Sequence, residues 1–454
     1  MAEMATNGLK QRYPPGSVPV IEKLKAQRTR HSTPTASTAS TESTEEKGAA
    51  SSIPPPHPRG EIKHGAFKQA IRMALFALYF SSSILAISVT QYIGAPLYLY
   101  SKDLFYAWMA MTKQHFGIVS ATMTYWWAPT TVRISGDASV RGQMRKTADG
   151  RLECDFPERI VLISNHQIYT DWVYLWWMAY TADMHGHLYI ILKESIKYIP
   201  IIGTGMMLYG FIFLSRKWAT DKERFQYRLK KLSTSHAGPL SGTPGLDPMW
   251  LLIFPEGTNL STNGRVASKK WADKNGIPDL RHALLPRSTG LSFCLQELKD
   301  TVEYMYDCTL AYEGVPAGQY GQDIFTLRGT YFQGRSPASV NLHLRRFRIA
   351  DIPLHDETVF AAWLLARFRE KDDLLQYFVD HQRFPADEGE SFDQSADGGK
   401  GAVVRGAGWI ETEVRPARWW EWIQVFVPTA AAALVVNVAV KMVRLVSRLL
   451  RGGA

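Results

Sequence analysis

The chain has 454 residues, enough for two or three domains by length alone, and its 52 Lys and Arg against 42 Asp and Glu give a formal charge of +10. This charge suits nucleic acid or an anionic membrane, but no nucleic-acid-binding motif accompanies it, whereas 14 Trp and 20 Tyr favour a bilayer interface. The three cysteines, Cys154, Cys294 and Cys308, have neither a metal-binding spacing nor an even number, so we expect free thiols in a reducing compartment and no metal site.

The first 66 residues are rich in Ser, Thr, Pro and Ala and show little apolar patterning. A segment of this composition cannot bury enough apolar surface to fold alone, so we predict a disordered cytosolic arm over residues 1–66. A mitochondrial transit peptide is disfavoured because prolines and glutamates interrupt the arm and no Arg-rich amphipathic period occurs in it.

Two apolar stretches occupy residues 67–131. The first, residues 73–101, contains no charged residue and is long enough to cross a hydrocarbon core of ~30 Å. Lysines and an arginine precede it, which places its start on the cytosolic side. The second, residues 104–132, contains Lys113 and His115, so it either spans the bilayer or lies in its interface. We predict an N-terminal membrane helical hairpin, partly or wholly inserted.

Residues 132–350 change to a pattern typical of an α/β domain. Short apolar runs separated by helical patterns predict a mostly parallel sheet flanked by helices. Thr220 and Glu223 form a capping box that predicts the start of a helix reaching about residue 232, and Asn275-Gly276 predicts the end of another helix. The strand-like runs are residues 159–164, 188–192, 210–215, 250–254, 302–312 and 340–349.

The first candidate chemistry follows the run at 159–164, where Asn165, His166 and Asp171 occur close together. Histidine suits proton transfer near neutral pH, and a carboxylate bonded to its second nitrogen raises its basicity and fixes its tautomer. On a regular helix, positions i and i+5 lie about 140° apart, so the two side chains meet only if a helix begins between or beside them. Ser164 and Thr170 both offer N-caps for such a helix. We interpret the pair as a base and its orienter.

Two further strand-like runs end in polar residues. Gly210 opens the run that ends at Arg216, and the run at 250–254 breaks into Pro255, Glu256, Gly257 and Thr258. Ligands of open α/β sheets collect outside the carboxyl ends of the strands. We therefore expect His166, Arg216 and Glu256 to converge at one edge of the sheet.

Beyond residue 350 the sequence predicts a helical extension and flexible linker over residues 351–418. Residues 356–384 have the pattern of an amphipathic pair of helices, and residues 389–401 that of the linker. The last segment, residues 419–454, predicts a C-terminal membrane segment, since tryptophans precede an apolar run at 423–440 that Pro428 interrupts. A basic tail follows, with cations along one helical face that suit an anionic leaflet, namely Lys441, Arg444, Arg448 and Arg451.

Taken together, three motifs resemble the first three motifs of the glycerolipid acyltransferases that acylate glycerol phosphates and lysophospholipids. They are Asn-His-x4-Asp at 165–171, Gly-x-Ile-Phe-Leu-x-Arg at 210–216 and Phe-Pro-Glu-Gly-Thr at 254–258. The similarity covers residues 132–290, and residues 216–218, 273–276 and 285–290 are most similar to the lysocardiolipin and lysophosphatidylinositol acyltransferase branch. Ser215 replaces an acid or amide, and the fourth motif survives only as Leu285-Pro286-Arg287, which leaves the head group open.

The resemblance implies a membrane-bound O-acyltransferase that moves a fatty acyl group from acyl-CoA to the free glycerol hydroxyl of a lysophospholipid or lysophosphatidic acid, in phospholipid synthesis or acyl-chain remodelling. His166 and Asp171 are then the catalytic residues, with His166 as general base. Acyl-CoA is a co-substrate and no cofactor is expected. The partners are acyl-CoA, a lysophospholipid acceptor and membrane lipids, with no nucleic acid.

The other motif residues have expected roles in binding substrate. Arg216 suits the acceptor phosphate because a guanidinium binds such oxyanions bidentately. Glu256 either bonds acceptor hydroxyls or holds Arg216. Gly257 permits a tight turn that Pro255 sets, and Thr258 either reaches a phosphate or caps the next helix. The predicted substrate-binding residues are Asn165, Gly210, Arg216, Pro255, Glu256, Gly257 and Thr258.

Two other activities remain open on the sequence. A CoA-independent phospholipid transacylase would keep the same histidine and aspartate. A membrane lipid hydrolase is less favoured, because the chain has no Gly-x-Ser-x-Gly elbow and no His-Glu-x-x-His helix. His185 and His187 lie near Asp183, but no third ligand occurs at a useful spacing for a metal.

The expected location is the endoplasmic reticulum membrane with the catalytic domain facing the cytosol, and the mitochondrial membrane and the lipid droplet are alternatives. Acyl-CoA is made in the cytosol. A single crossing would place the three motifs on the other side, whereas a hairpin returns the chain to the cytosolic face. This is the reason for preferring a hairpin over residues 67–131 and a catalytic domain over residues 132–350.

Overall fold

A computed structural model describes residues 64–237, 244–385 and 409–452. The predicted arm at 1–66 is described only from residue 64 onward, and the predicted linker at 389–401 lies outside the described residues.

An eight-stranded sheet with the order β12-β1-β11-β10-β4-β9-β5-β6 forms the centre of the fold. Five of its seven neighbouring pairs are parallel, and only β12–β1 and β10–β11 are antiparallel. The predicted mostly parallel sheet is confirmed. The strands are β1 (Thr131–Gly136), β2 (Met144–Lys146), β3 (Leu152–Cys154), β4 (Arg159–Ser164), β5 (Leu188–Lys193), β6 (Ile212–Leu214), β7 (Ser235–Ala237), β8 (Pro244–Leu246), β9 (Met249–Ile253), β10 (Tyr304–Tyr312), β11 (Ser339–Arg348) and β12 (Ile410–Glu413), of which β2–β3 and β7–β8 form separate hairpins.

The central strands are apolar on both faces because helices cover both sides of the sheet. Ile160, Val161, Leu162 and Ile163 of β4 are completely buried, and Ile160 pairs with Trp250 of β9. All six predicted strand-like runs contain a strand, although the run at 210–215 is ordered as a strand only over Ile212–Leu214. The sequence reasoning missed β1 and β12, which pair with each other at one edge.

Helices flank the sheet on both faces, as predicted. One apolar core lies under α1, α3 and α4, and a second lies under α6, α7, α8 and α10. The helices are α1 (Ala66–Gly94), α2 (Leu97–Tyr100), α3 (Lys102–Trp127), α4 (Asp171–Thr181), α5 (Ile202–Leu208), α6 (Trp218–Leu232), α7 (Thr262–Asn275), α8 (Ser288–Leu298), α9 (Gly321–Ile324), α10 (Glu357–His381), α11 (Glu421–Gln424) and α12 (Val427–Gly452).

Two helix boundaries differ from the sequence-based expectation. The predicted pair of helices at 356–384 is one continuous helix, α10, which Asp356 caps by accepting from the backbone N–H groups of Thr358 and Val359. The predicted capping box at Thr220 is wrong, since α6 already begins at Trp218. The predicted end of α7 is confirmed, because Gly276 follows it in the left-handed conformation.

The N-terminal helices α1 and α3 form an antiparallel pair. Near one end Arg72 donates to the carbonyl of Trp127, and near the other Trp108 Nε1 donates to the carbonyl of Thr90 at 2.8 Å. The second predicted membrane stretch corresponds to α3, whose side chains are largely buried by the protein. By length and composition, only residues 66–100 and 427–444 of the described chain are suited to crossing a membrane.

One face of α1 packs along the protein and the opposite face is open. Gln69 donates to the carbonyl of Phe332 near the start of α1, and Gln91 Nε2 donates to the carbonyl of Gly205 at 3.4 Å near its end. The rest of the protein therefore contacts α1 near both of its ends. The exposed side chains form a mainly apolar stripe at helical spacing, with Lys68 as an exposed cation in the first turn. Its apolar members include Phe67, Ile71, Leu75, Leu78, Leu85, Val89 and Tyr92.

The C-terminal helix α12 is continuous, so the expectation that Pro428 interrupts this apolar run is wrong. Pro428 lies in the first turn of α12, where a backbone N–H has no helical partner to lose. Apolar side chains on several sides of the helix are exposed, including Leu434, Val435 and Val436. The helix continues through the positions of the predicted basic tail.

Candidate active site

His166 and Asp171 meet in the turn between β4 and α4. The strand ends at Ser164, and α4 begins at Asp171 itself, so a regular helix never separates the two side chains. His166 Nδ1 and Asp171 Oδ2 are 2.8 Å apart. The position of Asp171 in the first turn also places its carboxylate at the positive end of the helix dipole.

The Asp171 carboxylate is completely buried and surrounded by hydrogen-bond donors. The backbone N–H groups of Gln167 and Ile168 donate to Oδ2 at 2.6 and 3.1 Å, and the Tyr312 hydroxyl donates to Oδ1. These donors fix the carboxylate, so we assign the proton of the imidazole to Nδ1, facing Asp171. Nε2 then keeps a lone pair, and among the described residues it has no hydrogen-bond partner.

The imidazole of His166 is partly open to solvent. Its side chain is 21% exposed. One ring face stacks on Phe254, with 4.3 Å between ring centroids and 25° between the ring planes. A ring that is held by a carboxylate at one edge and by an aromatic face on one side is oriented for proton transfer at Nε2.

Tyr312 is a site residue that the sequence reasoning missed. It lies at the carboxyl end of β10, which runs parallel to β4 as its neighbour, so both strands end at the same edge of the sheet. Burial and the charge of Asp171 raise the pKa of Tyr312 well above its usual value, so its hydroxyl stays protonated and donates. Its position at the end of the predicted strand 302–312 was the available signal.

Asn165 links two strands. Its side-chain oxygen accepts from the Leu310 N–H at 2.8 Å, and its side-chain nitrogen donates to the Leu310 carbonyl at 2.9 Å. The residue is completely buried. The structure therefore places Asn165 as a tie between the ends of β4 and β10, not as a group facing a substrate.

Glu256 lies directly beside the histidine turn and is almost completely buried. Its Oε1 accepts from the backbone N–H of His166 at 3.2 Å, whereas Oε2 has no hydrogen-bond partner in the part of the chain that the structure describes. Burial raises its pKa to about 8, although the N–H groups of His166 and Leu284 and the charge of Lys371 oppose the shift. Glu256 therefore holds its proton at neutral pH.

Arg216 follows β6 and contacts the turn after β9. Its guanidinium donates to the carbonyl of Gly257, and among the described residues it forms no ion pair with Glu256, so the suggestion that Glu256 holds Arg216 is wrong. The backbone of Arg216 has φ +69°, a strained conformation for a residue with a side chain. Outliers of this kind occur at ligand sites more often than elsewhere.

A second arginine lies at the same turn. The backbone N–H of Arg287 donates to the carbonyl of Pro255 at 2.8 Å, and its side chain passes Gly257 so closely that a Cβ there would lie 3.3 Å from Nε. Partial burial and the charge of Arg287 lower the pKa of Arg216. The sequence showed Arg287 only as part of a degenerate motif, and the structure brings its charge next to that of Arg216.

The remaining predicted residues differ in position. Gly257 has φ +72°, so it permits the turn as expected, with Pro255 before it. Thr258 Oγ1 lies 3.5 Å from Asn259 Oδ1, whereas Ser261, not Thr258, caps α7. Gly210 has φ +77° but precedes β6, whereas Arg216 follows it, so the two residues lie at opposite ends of this strand. The structure does not bring Gly210 to the site.

Within the described ranges, no group of three or more His, Cys, Asp or Glu side chains is arranged to hold a metal ion. Burial lowers the pKa of His185 to about 4, and Trp176 Nε1 donates to its carbonyl at 3.0 Å. The three cysteines are buried free thiols.

Comparison with known proteins gives consistent matches. A family model described as Acyltransferase matches residues 141–313, and one described as Acyltransferase C-terminus matches residues 330–400. The chain is 37% identical over 316 residues to an uncharacterized acyltransferase of Schizosaccharomyces pombe, covering 70% of this chain and 87% of that protein. It is 38% identical to the 2-acyl-1-lysophosphatidylinositol acyltransferase of Saccharomyces cerevisiae, covering 61% and 76%, and 32% identical to lysocardiolipin acyltransferase 1 of Gallus gallus, covering 49% and 54%.

Proposed function

The chain belongs to the glycerolipid acyltransferase family, and on that premise we propose that it transfers a fatty acyl group from acyl-CoA to the free glycerol hydroxyl of a lysophospholipid. The observation that carries this proposal is the 2.8 Å contact between His166 Nδ1 and a fully buried Asp171, with Nε2 left free. That arrangement is a general base with a fixed tautomer.

The reaction follows from this geometry. His166 Nε2 takes the proton of the acceptor hydroxyl while the hydroxyl oxygen attacks the carbonyl carbon of the thioester. The tetrahedral oxyanion collapses, the carbon–sulfur bond breaks, and the CoA sulfur leaves with the proton that His166 returns. The products are an ester and a free CoA thiol, and the reaction consumes no reactant besides the two substrates.

Arg216 and Arg287 are suited to the phosphate of the acceptor. Two guanidinium groups beside one turn repel each other, and a bound oxyanion relieves that repulsion. Glu256 belongs to the same turn but is buried, and its Oε1 accepts from the backbone N–H of His166. We assign the two arginines to acceptor binding and Glu256 to support of the turn that carries His166.

Lysophosphatidylinositol is the acceptor we propose to test first. The relative named for that acceptor is 38% identical over 76% of its own length, whereas the lysocardiolipin relative is 32% identical over 54%. Lysophosphatidic acid and lysocardiolipin carry the same glycerol phosphate unit that the two arginines would bind, so they are the comparison acceptors.

The acceptor is a membrane lipid, and we propose that the protein acts at the cytosolic face of the endoplasmic reticulum membrane. The mainly apolar stripe of α1 and the exposed apolar helix α12 support attachment to a bilayer. Protease added to sealed microsomes should cut the chain both near Ser51 and near Gly242. Protection of the Gly242 site in the absence of detergent would contradict this orientation.

The activity is tested with purified protein in mixed micelles, using acyl-CoA and each of the three lysolipids. We expect free thiol to appear in equal amount to the diacyl product, and only when a lysolipid is present. Thiol release at the same rate without any lysolipid would identify a hydrolase instead. Diacyl product formed from phospholipid without acyl-CoA would identify a transacylase.

A further inference from the structure

One turn of α10 binds the loop at residues 281–284, which borders the candidate active site. The carboxylate of Asp372 accepts from three consecutive backbone N–H groups, those of Arg281 at 2.8 Å, His282 at 2.7 Å and Ala283 at 3.1 Å. Asp372 is only 9% exposed. Three donors converging on one buried carboxylate fix both the position and the orientation of this loop.

The same loop also contacts the segment between β4 and α4 that carries His166 and Asp171. The carbonyl of His282 accepts from Gln167 Nε2 at 2.9 Å. The backbone N–H of the same Gln167 donates to Asp171 Oδ2 at 2.6 Å. A continuous series of hydrogen bonds therefore runs from Asp372, through the loop and Gln167, to the carboxylate that orients His166.

The loop also borders the buried acid. The N–H of Leu284, next along the loop, lies close enough to Glu256 to lower its pKa. Glu256 accepts from the backbone N–H of His166. Displacement of the loop would thus disturb the His166 turn from two sides.

The residue before Asp372 ties the same turn of α10 to the sheet. Lys371 is completely buried, and its Nζ donates to the carbonyl of Cys308 at 2.7 Å and lies 2.6 Å from the carboxylate of Asp307. Both partners belong to β10, the strand that ends at Tyr312. Because Lys371 anchors the helix to the strand next to β4, Asp372 holds the loop from a rigid support.

We infer that Asp372 is a positioning residue for acyl transfer: from α10 it sets the loop that aligns Gln167, Asp171 and His166. The inference rests on the proposed function. It gives the C-terminal part of the chain a specific role at the reacting centre, although no atom of α10 belongs to the catalytic pair. A misplacement on the order of 1 Å at a reacting group lowers a rate by up to about a hundredfold.

Three variants test the inference. Asp372→Ala removes all three acceptor contacts, Asp372→Asn keeps one acceptor oxygen and turns an amide donor toward backbone N–H groups, and Asp373→Asn removes the same charge from the exposed neighbour. We expect kcat to fall about tenfold in Asp372→Asn and further in Asp372→Ala, and to stay near the wild-type value in Asp373→Asn. The KM for acyl-CoA should stay within about twofold in all three.

A purely structural role is separated by a matched core variant. Leu364→Ala opens the core under the same helix without removing any polar contact to the loop. Rates are compared per folded molecule, with folded protein measured by size exclusion and near-UV circular dichroism. Leu364→Ala should keep the wild-type kcat while losing thermal stability. If kcat of Asp372→Ala equals that of Leu364→Ala, or of the wild type, Asp372 has no positioning role.

The two proposals fail in different ways. If wild-type protein acylates no lysolipid, the proposed function is wrong and the Asp372 variants have no rate to compare. If the wild type is active and all Asp372 variants share its kcat, the proposed function stands and only the positioning role is overturned.

Discussion

The two ends of the candidate site are built differently. Around Asp171 the groups are buried and mutually bonded, with His166, two backbone N–H groups and Tyr312 all directed at one carboxylate. Around Gly257 the side chains of Arg216 and Arg287 are exposed to solvent, and within the described residues the guanidinium of Arg216 donates to a backbone carbonyl and pairs with no carboxylate. The first end is preorganised before substrate arrives, whereas the second is completed by the substrate.

This difference separates two tasks. A buried, fully bonded group changes little on binding and therefore serves the chemical step. Exposed cations that repel each other gain most when an anion binds and therefore serve recognition. Changes at the Asp171 end should lower kcat, and changes at the arginine end should raise the KM for the acceptor.

The largest effect is expected from His166→Ala. Without a base for the acceptor hydroxyl, turnover should fall by roughly two to four orders of magnitude, while membrane association and folding are kept. Thiol release from acyl-CoA is the measurement. His381→Ala, an exposed histidine at the end of α10, is the control and should retain wild-type turnover. Near-normal turnover of His166→Ala would show that His166 is not the general base.

Asp171→Asn is expected to have the next largest effect. An amide at this position receives the same backbone donors but directs an N–H toward Nδ1 in one orientation, which destabilises the productive tautomer. We expect kcat to fall by roughly two orders of magnitude with little change in either KM. Asp356→Asn, which alters another aspartate at a helix start, controls for general loss of helix capping.

Tyr312→Phe removes one of the donors to Asp171 and should lower kcat about tenfold, since a hydrogen bond to a charged group contributes ~1.5 kcal/mol or more. Tyr331→Phe is the matched control, because its hydroxyl is also buried and lies 3.2 Å from Thr124 Oγ1. If both variants lower kcat equally, the Tyr312 hydroxyl contributes no more than any buried tyrosine.

Arg216→Lys tests the recognition end. Lysine keeps the charge but not the planar fork, so we expect the KM for the lysolipid to rise about fivefold to tenfold while kcat changes less. Arg145→Lys, on the distant β2–β3 hairpin, is the control. A rise in the KM for acyl-CoA alone would assign Arg216 to the phosphates of CoA.

Glu256→Gln is expected to have the smallest effect on rate and a distinct effect on stability. The folded pKa of about 8 lies above the ordinary value of 4.5. Between these values the folded state holds a proton that the unfolded state has lost, so wild-type stability falls as pH rises from about 4.5 to 8, by up to ~1.4 kcal/mol per pH unit. The glutamine variant lacks this dependence. Thermal midpoints at pH 5 and pH 8 should therefore differ less in Glu256→Gln than in the wild type.

Much of the sheet could be predicted because its signal is local. The four apolar residues of β4 and the acid-bearing turn after β9 mark buried parallel strands and their carboxyl ends within short windows of sequence. The same reasoning placed His166 and Asp171 in one turn, since only a helix start between or beside them lets them meet.

The missed features depend on contacts between distant parts of the chain. Tyr312 meets Asp171 across 141 positions, and Asp372 meets His282 across 90. The edge strand β12 is short and half exposed, so it carries little apolar pattern. The buried positions of α10 follow one continuous helical period, but Lys371 and Asp372 interrupt its apolar pattern with two charges because they contact the sheet and the loop. Such features depend on how distant parts of the chain pack together, and a short stretch of sequence carries no information on that packing.

The division between chemistry and recognition is tested most directly by single-turnover acyl transfer at saturating lysolipid, compared for the wild type, Asp171→Asn and Arg216→Lys. The lysolipid mole fraction in the micelle is raised until each rate reaches a plateau. We expect the plateau of Arg216→Lys to approach that of the wild type, and that of Asp171→Asn to remain roughly a hundredfold lower. Equal plateaus for the wild type and Asp171→Asn, or a plateau of Arg216→Lys as low as that of Asp171→Asn, would contradict the account.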